Sequence, residues 1–411
     1  MIARSVGRLP AATVYLIMNA AASLSYAMVF TVSGVYLVTV VGLNPLQLVL
    51  VGTSLEVAVL LFEVPTGVVA DVYSRRLSII IGMFGIGAGF VLWGATPVFA
   101  VVLLAQVIWG IGHTFTSGAD TAWIADEVGE SRVPHLYLLG AQARQVGSLC
   151  GIVISVILAS IRLNLPMILG GVLFAVLGVF LVLFMPEHGF ARVPDEQRTS
   201  WQRMVRTFKS GLGVVRARPI LITLLVIGGL DGMASEAFDR LWEIHLLRNF
   251  TFPRLGGLQQ IVWFGVIDAV VLLLSLAVTE VIRRRLDPLR HLAVARTLLA
   301  GTALLMLAMI TFGLAGSFAL AVGAYWAAHV IRRANQPLYT AWLNRGLDPE
   351  VRATVHSMAG QADAIGQVVG GPVLGVVATA ASVRAALVAS GVILSPALAL
   401  YSRAIRRGGE G

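Results

Sequence analysis

Twelve stretches of about 20 or more apolar residues divide this chain almost from end to end, and no other feature constrains its fold as tightly. About 20 helical residues cross a bilayer's hydrocarbon core, and inside it each backbone polar group must find its partner within the segment, so such runs read as spanning helices. They lie near residues 13–41, 46–70, 77–94, 98–124, 135–161 and 165–185, then near 220–247, 257–282, 291–313, 319–343, 354–380 and 384–402. The chain is 57% hydrophobic and 12% charged, where a soluble domain has roughly 45 to 50% and 25%. A soluble fold is excluded. The first run is too long for a signal-peptide core and reads as a retained span. What remains between the runs is short, which leaves no room for a catalytic domain outside the membrane. One cysteine, Cys150, rules out an internal disulfide.

The only long polar stretch, residues 186–219, separates the first six runs from the last six and carries Arg192, Arg198, Arg203, Arg206, Lys209, Arg216 and Arg218. The organisation expected is a six-helix bundle over 1–185, a cytoplasmic linker over 186–219 and a second six-helix bundle over 220–411. Within the linker Trp201, Met204, Val205, Phe208 and Leu212 recur at helical spacing, as in an amphipathic helix lying on an anionic membrane surface. With both termini inside, 21 of the 30 basic residues fall on cytoplasmic segments and five outside, namely Arg162, Arg240, Arg248, Arg254 and Arg384. The reverse orientation would invert the positive-inside bias. The net charge of +9 is therefore a topology signal, and its scatter between the runs argues against a nucleic-acid partner.

Shifting the chain by 219 residues lays Thr121, Ala122 and Trp123 on Thr340, Ala341 and Trp342, and Gln142, Ala143, Gly147 and Gly151 on Gln361, Ala362, Gly366 and Gly370. Two adjacent pairs of spans share this offset. Six spans separate the members of each pair, so the halves form a parallel repeat about an axis along the membrane normal, an arrangement found in secondary transporters.

Between the second and third runs the chain reads EVPTGVVADVYSRR, residues 63–76. This resembles the signature loop of the major facilitator superfamily, Gly-x-x-x-Asp-x-x-Gly-Arg-Arg/Lys, with Gly67, Asp71, Arg75 and Arg76 in place and Ser74 where the pattern has glycine. Glycine there would allow a backbone shape that serine resists. The stretches beginning at Ser117 (SGADTAWIADEV), Ser235 (SEAFDRLW) and Arg352 (RATVHSM) look like the drug-efflux and macrolide-efflux branches. The resemblance implies an all-α fold of twelve transmembrane helices in two bundles. It also implies a cytoplasmic gate of Gly67, Asp71, Arg75, Arg76 and Asp126, in which Asp71 meets the positive end of span 11 and Arg75 pairs with Asp126.

A charge near the bilayer centre costs on the order of 3 kcal/mol, so each one invites a functional reading. Glu56 and Asp268 lie near the middles of spans two and eight, Asp231 and Glu236 near the middle of span seven, Arg332 and Arg333 near that of span ten, and His113 in span four. Arg144 and Asp363, equivalent by the repeat, lie about one turn toward the cytoplasm in spans five and 11. Each acid reads either as a proton-coupling carboxylate or as the structural partner of an arginine, and Arg332 either as an anion-binding group or as the counter-ion of a coupling acid. Arg144 is expected to meet an acid, Asp268 or Glu63. Drug–proton antiporters of the superfamily often carry Arg-x-x-x-Gly in span four, whereas here Gln106 precedes Gly110. Tyr15, Tyr26, Tyr36, Trp109, Trp123, Trp263, Tyr325 and Trp326 read as packing or anchoring residues before cavity walls.

No metal-ligand cluster, phosphate-binding glycine loop or nucleophile elbow is legible, so neither a cofactor nor enzymatic catalysis is expected. The expectation is a monomeric, proton-coupled exporter of amphipathic or drug-like molecules, working by alternating access in the cytoplasmic membrane. The alternatives are an importer of a small organic anion, motivated by Arg332, Arg333 and Arg144, and a lysolipid or lipid translocator.

Overall fold

The computed structural model describes residues 8–129, 131–190, 212, 213, 215–254, 256–285, 291–345, 347 and 349–408. Helices account for nearly all of them. In chain order they are α1 (Ala11–Thr39), α2 (Pro45–Val72), α3 (Arg75–Ala95), α4 (Phe99–Thr116), α5 (Ala119–Val128), α6 (Val133–Ile161) and α7 (Leu165–Phe184). After the linker come α8 (Pro219–Asn249), α9 (Val262–Arg285), α10 (His291–Leu314), α11 (Phe318–Leu343), α12 (Pro349–Ala380), α13 (Val383–Ile393) and α14 (Ser395–Gly408). The amphipathic helix expected in the linker falls, but for Leu212, outside the described residues.

Eleven stretches among the described residues are long and apolar enough to cross a membrane. The twelfth span is α11, which has the length, 26 residues, but carries His329, Arg332, Arg333, Asn335 and Gln336 through its middle. Two spans read as continuous in the sequence are each broken into two helices. Span four breaks between α4 and α5 because Gly118 adopts φ 71°, the left-handed conformation that glycine tolerates best. Span 12 breaks at Leu394, just before Ser395 and Pro396, and the proline cannot continue the hydrogen bonding of α13. Pro65, Pro337 and Pro372 all lie inside helices. Many large apolar side chains face outward, among them Leu61, Leu138, Ile161 and Val373. In water such a surface would aggregate; against acyl chains it is solvated.

The chain divides into two compact units: Met1–Leu43, Ser54–Arg198 and Leu255–Gly265 form one, and Asn44–Thr53, Thr199–Arg254 and Val266–Gly411 the other. Each is internally wired in the same way. In the first unit α1 packs on α6 and α7, and α3 on α4 and α7. In the second α8 packs on α12 and α13, and α10 on α11 and α13. These are the same span pairs, counted from the start of each half. The repeated glycines do the same work in both. A Cβ at Gly147 or Gly151 would stand 2.2 or 2.3 Å from a backbone oxygen of α1, at Ala20 and Leu24. A Cβ at Gly366 or Gly370 would stand 2.1 or 2.6 Å from the oxygens of Gly229 and Met233 on α8.

Candidate functional site

In the first unit, the charged loop between α2 and α3 is built around the start of α3. Arg75 forms an ion pair with Asp126 at the end of α5 and donates to the Ala122 carbonyl at 2.7 Å. Ser74 has φ −175°, an extended conformation open to any residue, so glycine is not needed there. Its hydroxyl instead caps the helix, accepting from the Leu77 N–H at 2.9 Å and donating to the Glu187 carboxylate at 2.7 Å. The same carboxylate accepts the Arg76 N–H at 2.9 Å, and the Arg76 side chain reaches the Val182 carbonyl at 2.6 Å. The segment that leaves α7 closes the arrangement. Trp123 donates its indole N–H to the Pro186 carbonyl at 2.8 Å, and Glu127 accepts the N–H groups of His188 and Gly189 at 2.5 and 2.7 Å. Asp71 ends α2 and is exposed, and nothing lies within 4 Å of where a Cβ on Gly67 would stand.

Higher in the same unit, Arg144 on α6 donates to the side-chain oxygen of Asn19 on α1 at 2.5 Å. Within its own unit Arg144 thus bonds an amide, and Asp120 lies within electrostatic range. His113 sits at the end of α4, with its ring edge-on to Trp109 and within range of Glu63 and Asp120. Gln106, in the place of the antiporter arginine, is fully buried and accepts the Trp109 indole N–H at 2.7 Å. Tyr26, Trp109, Phe30, Phe90 and Phe174 form one aromatic cluster, the packing role read for the first two.

The densest charge in the second unit lies along α8. Asp231, Ser235 and Asp239 are spaced four apart and share one stripe; Glu236, Arg240 and Glu243 form another. On the first stripe, Asp239 takes the Arg332 guanidinium of α11 at 2.8 Å to each carboxylate oxygen, and His329, one turn before Arg332, lies 4.0 Å from the same carboxylate. On the second, Arg240 pairs with Glu236 at 3.2 Å directly over Gly52 of α2, where a Cβ would stand 1.7 Å from the Glu236 carboxylate oxygen. No larger residue fits at 52 while that pair stands. Arg333 lies within electrostatic range of His329, and Asp268 within range of Glu243 and Tyr325. Glu56 and Asp268 both have partners.

Beside the Asp239–Arg332 pair opens a cavity of about 310 Å³, lined by Asp231, Thr302, Arg332, Asn335, Tyr339 and Asp363 among others. Asp363 reaches it from α12, where its side chain accepts from Gln367 at 2.8 Å and lies against Gly232 of α8. Tyr339 closes one side, donating to the Leu224 carbonyl at 2.8 Å. The structure thus brings three sequence-derived candidates, Asp231, Arg332 and Asp363, to one cavity and gives Glu236 a separate pair. Asp239, His329 and Glu243 were not singled out from the sequence. For Asp239 the signal was present: it lies two turns from Asp231 on one stripe, inside the SEAFDRLW stretch.

A family profile described as Major Facilitator Superfamily matches residues 15–370. The chain belongs to the major facilitator superfamily. It is 25% identical over 367 residues, 87% of each chain, to YxaM of Bacillus subtilis (strain 168), an uncharacterised transporter of the same type. Among solved structures, a mutant of the nucleoside transporter NupG superposes with a TM-score of 0.78 at 13% identity, covering 96% of this chain and 99% of that one. A peptide-bound transporter of the POT family gives 0.77 at 14%, covering 96% of each. An inward-facing, occupied bacterial homologue of the human lysosomal transporter Spinster gives 0.74 at 15%, covering 97% and 98%. At these identities the likeness is one of fold. As a member of the superfamily, the protein is a multi-pass membrane transporter.

Proposed function

We propose that this secondary transporter is a proton-coupled exporter of amphipathic or drug-like molecules, acting by alternating access as a monomer in the cytoplasmic membrane with both termini inside. The observation that supports it is the cavity at mid-span in the second unit, where Asp231 and Asp363 face open volume beside an arginine already neutralised by Asp239. A carboxylate that can pass between charged and neutral states beside a fixed ion pair can take up a proton on one side of the membrane and release it on the other. In that reading Asp231 and Asp363 exchange protons, Asp239 and Arg332 hold the local field, and the loop of Gly67, Asp71, Arg75, Arg76 and Asp126 gates the cytoplasmic side. Glu236, Asp268 and Arg333 are further candidate coupling or binding groups of the second unit, and Glu56, His113 and Arg144 those of the first. Arg332 is bound to the Asp239 carboxylate, which argues against it as a bare site for an anionic substrate.

Reconstitution tests this directly. Proteoliposomes with an imposed pH gradient, offered ethidium, uridine, a dipeptide or lysophosphatidylglycerol, should move ethidium against its gradient and collapse the pH difference as they do so. Asp231→Asn should abolish the pH dependence while leaving the protein folded. Ethidium movement unaffected by the gradient would remove proton coupling; uridine or dipeptide uptake without dye export would replace the exporter by an importer, and selective lysolipid movement would replace it by a lipid translocator.

A further inference from the structure

At the opposite end of the second unit from Arg384, a groove of about 680 Å³ runs between the start of α8, the start of α10, the end of α11 and the end of α14. Its size is that of a small-molecule site. Its floor and walls are apolar, formed by Ile220, Ile222, Leu292, Trp342, Leu400 and Ile405, and Trp342 is held in place by stacking on Tyr401 at 5.8 Å. Three cations rim it: Arg218 before α8, Arg345 just past α11, and Arg403 near the end of α14. Arg345 and Arg403 are exposed and have no acidic partner among the described residues. The first turn of α8, with Pro219 at its start, adds the positive end of a helix.

An apolar trough rimmed by arginines, two of them exposed and without an acidic partner among the described residues, at the end of a membrane-spanning bundle, matches one chemistry above others: a phosphodiester carried on acyl chains. The mouth is cationic and the walls are oily. Ile222, 44% exposed on the first turns of α8, continues the trough toward the acyl phase. The chain's own linker is a poor occupant by charge, since Arg192, Arg198, Arg203, Arg206 and Lys209 would bring cations to a cationic rim. We infer that this groove is a binding site for an anionic phospholipid of the leaflet in which the α8, α10, α11 and α14 ends lie, separate from the transport cavity.

Native mass spectrometry and thermal unfolding of the full chain in neutral detergent test the site, with phosphatidylglycerol, phosphatidylcholine and glycerol 3-phosphate as probes. Phosphatidylglycerol should remain bound and raise the unfolding temperature by several degrees, while the other two should not. The double variant Arg345→Gln with Arg403→Gln should bind phosphatidylglycerol about tenfold or more weakly, whereas Arg384→Gln, at the other end of the bundle, should bind as the unaltered protein does. Ile222→Glu, with all three arginines intact, should also weaken binding several-fold, by placing a negative charge in the trough, and serves should the double variant fail to fold. Equal protection by phosphatidylcholine would make the groove a general lipid contact, and equal protection by glycerol 3-phosphate a phosphate site; either overturns the assignment. Undiminished phosphatidylglycerol binding in both groove variants overturns it as well.

Discussion

Ser74 shows how a departure from a family pattern becomes a different local solution. Where the pattern has glycine, the serine takes an extended backbone and caps α3, and Glu187 then ties the cap to the end of α7. Losing an N-cap hydroxyl costs about 1 kcal/mol. Ser74→Ala should therefore lower the thermal unfolding temperature of the purified protein, and Ser74→Gly should lower it less, because glycine is itself a fair N-cap. An unfolding temperature in Ser74→Ala equal to that of the unaltered protein would show that the cap contributes nothing. The Asp239–Arg332 pair is a second case at this scale. Each side chain is about one-third exposed, so breaking the pair by Arg332→Ala should cost about 2 kcal/mol, below the 3 to 5 of a fully buried pair. Removing both charges with Asp239→Asn and Arg332→Gln should be less damaging than Arg332→Ala alone. Simple additivity in a thermal double-mutant cycle would show the two are not coupled.

At the scale of the helix, the repeat is written in close crossings. The oxygens of Ala20 and Gly229 lie where a Cβ at Gly147 or Gly366 would have to go, so alanine at either position must push α6 from α1 or α12 from α8. Overpacking of this kind costs about 1 to 3 kcal/mol. Gly147→Ala and Gly366→Ala should each lower the unfolding temperature, and by similar amounts if the two crossings are equivalent. Gly67 gives the opposite expectation. With open space around it, Gly67→Ala should leave stability unchanged or raise it by up to about 1 kcal/mol through helix propensity. A transport defect in that variant, with stability kept, would mean that the glycine is required in a conformation other than this one.

For the whole molecule, the positive-inside bias predicts an orientation. With Cys150 replaced by serine, cysteines introduced at Arg162 and Arg384 should react with a membrane-impermeant maleimide added to intact cells, and one at Arg345 only after the membrane is opened; the reverse pattern would invert the topology. The spans, the 219-residue repeat and the loop at 63–76 were all legible in the chain, because each is a local property: a run of apolar residues long enough to cross a bilayer, a spacing, a short motif. Even the ion pair of Arg75 with Asp126 followed from a motif whose geometry is carried by two adjoining helix ends. Partnership among the buried charges was not legible. Asp239 and Arg332 are 93 residues apart, and no pattern in the chain pointed Arg144 to the Asn19 amide. Which side chain faces which depends on how each helix is rotated about its own axis, and packing at crossings such as Gly147 on Ala20 decides that rotation. Apolarity alone places a helix in the membrane and leaves its rotation open; only the packed bundle turned Asp239 toward Arg332 and gathered Asp231 and Asp363 around one cavity.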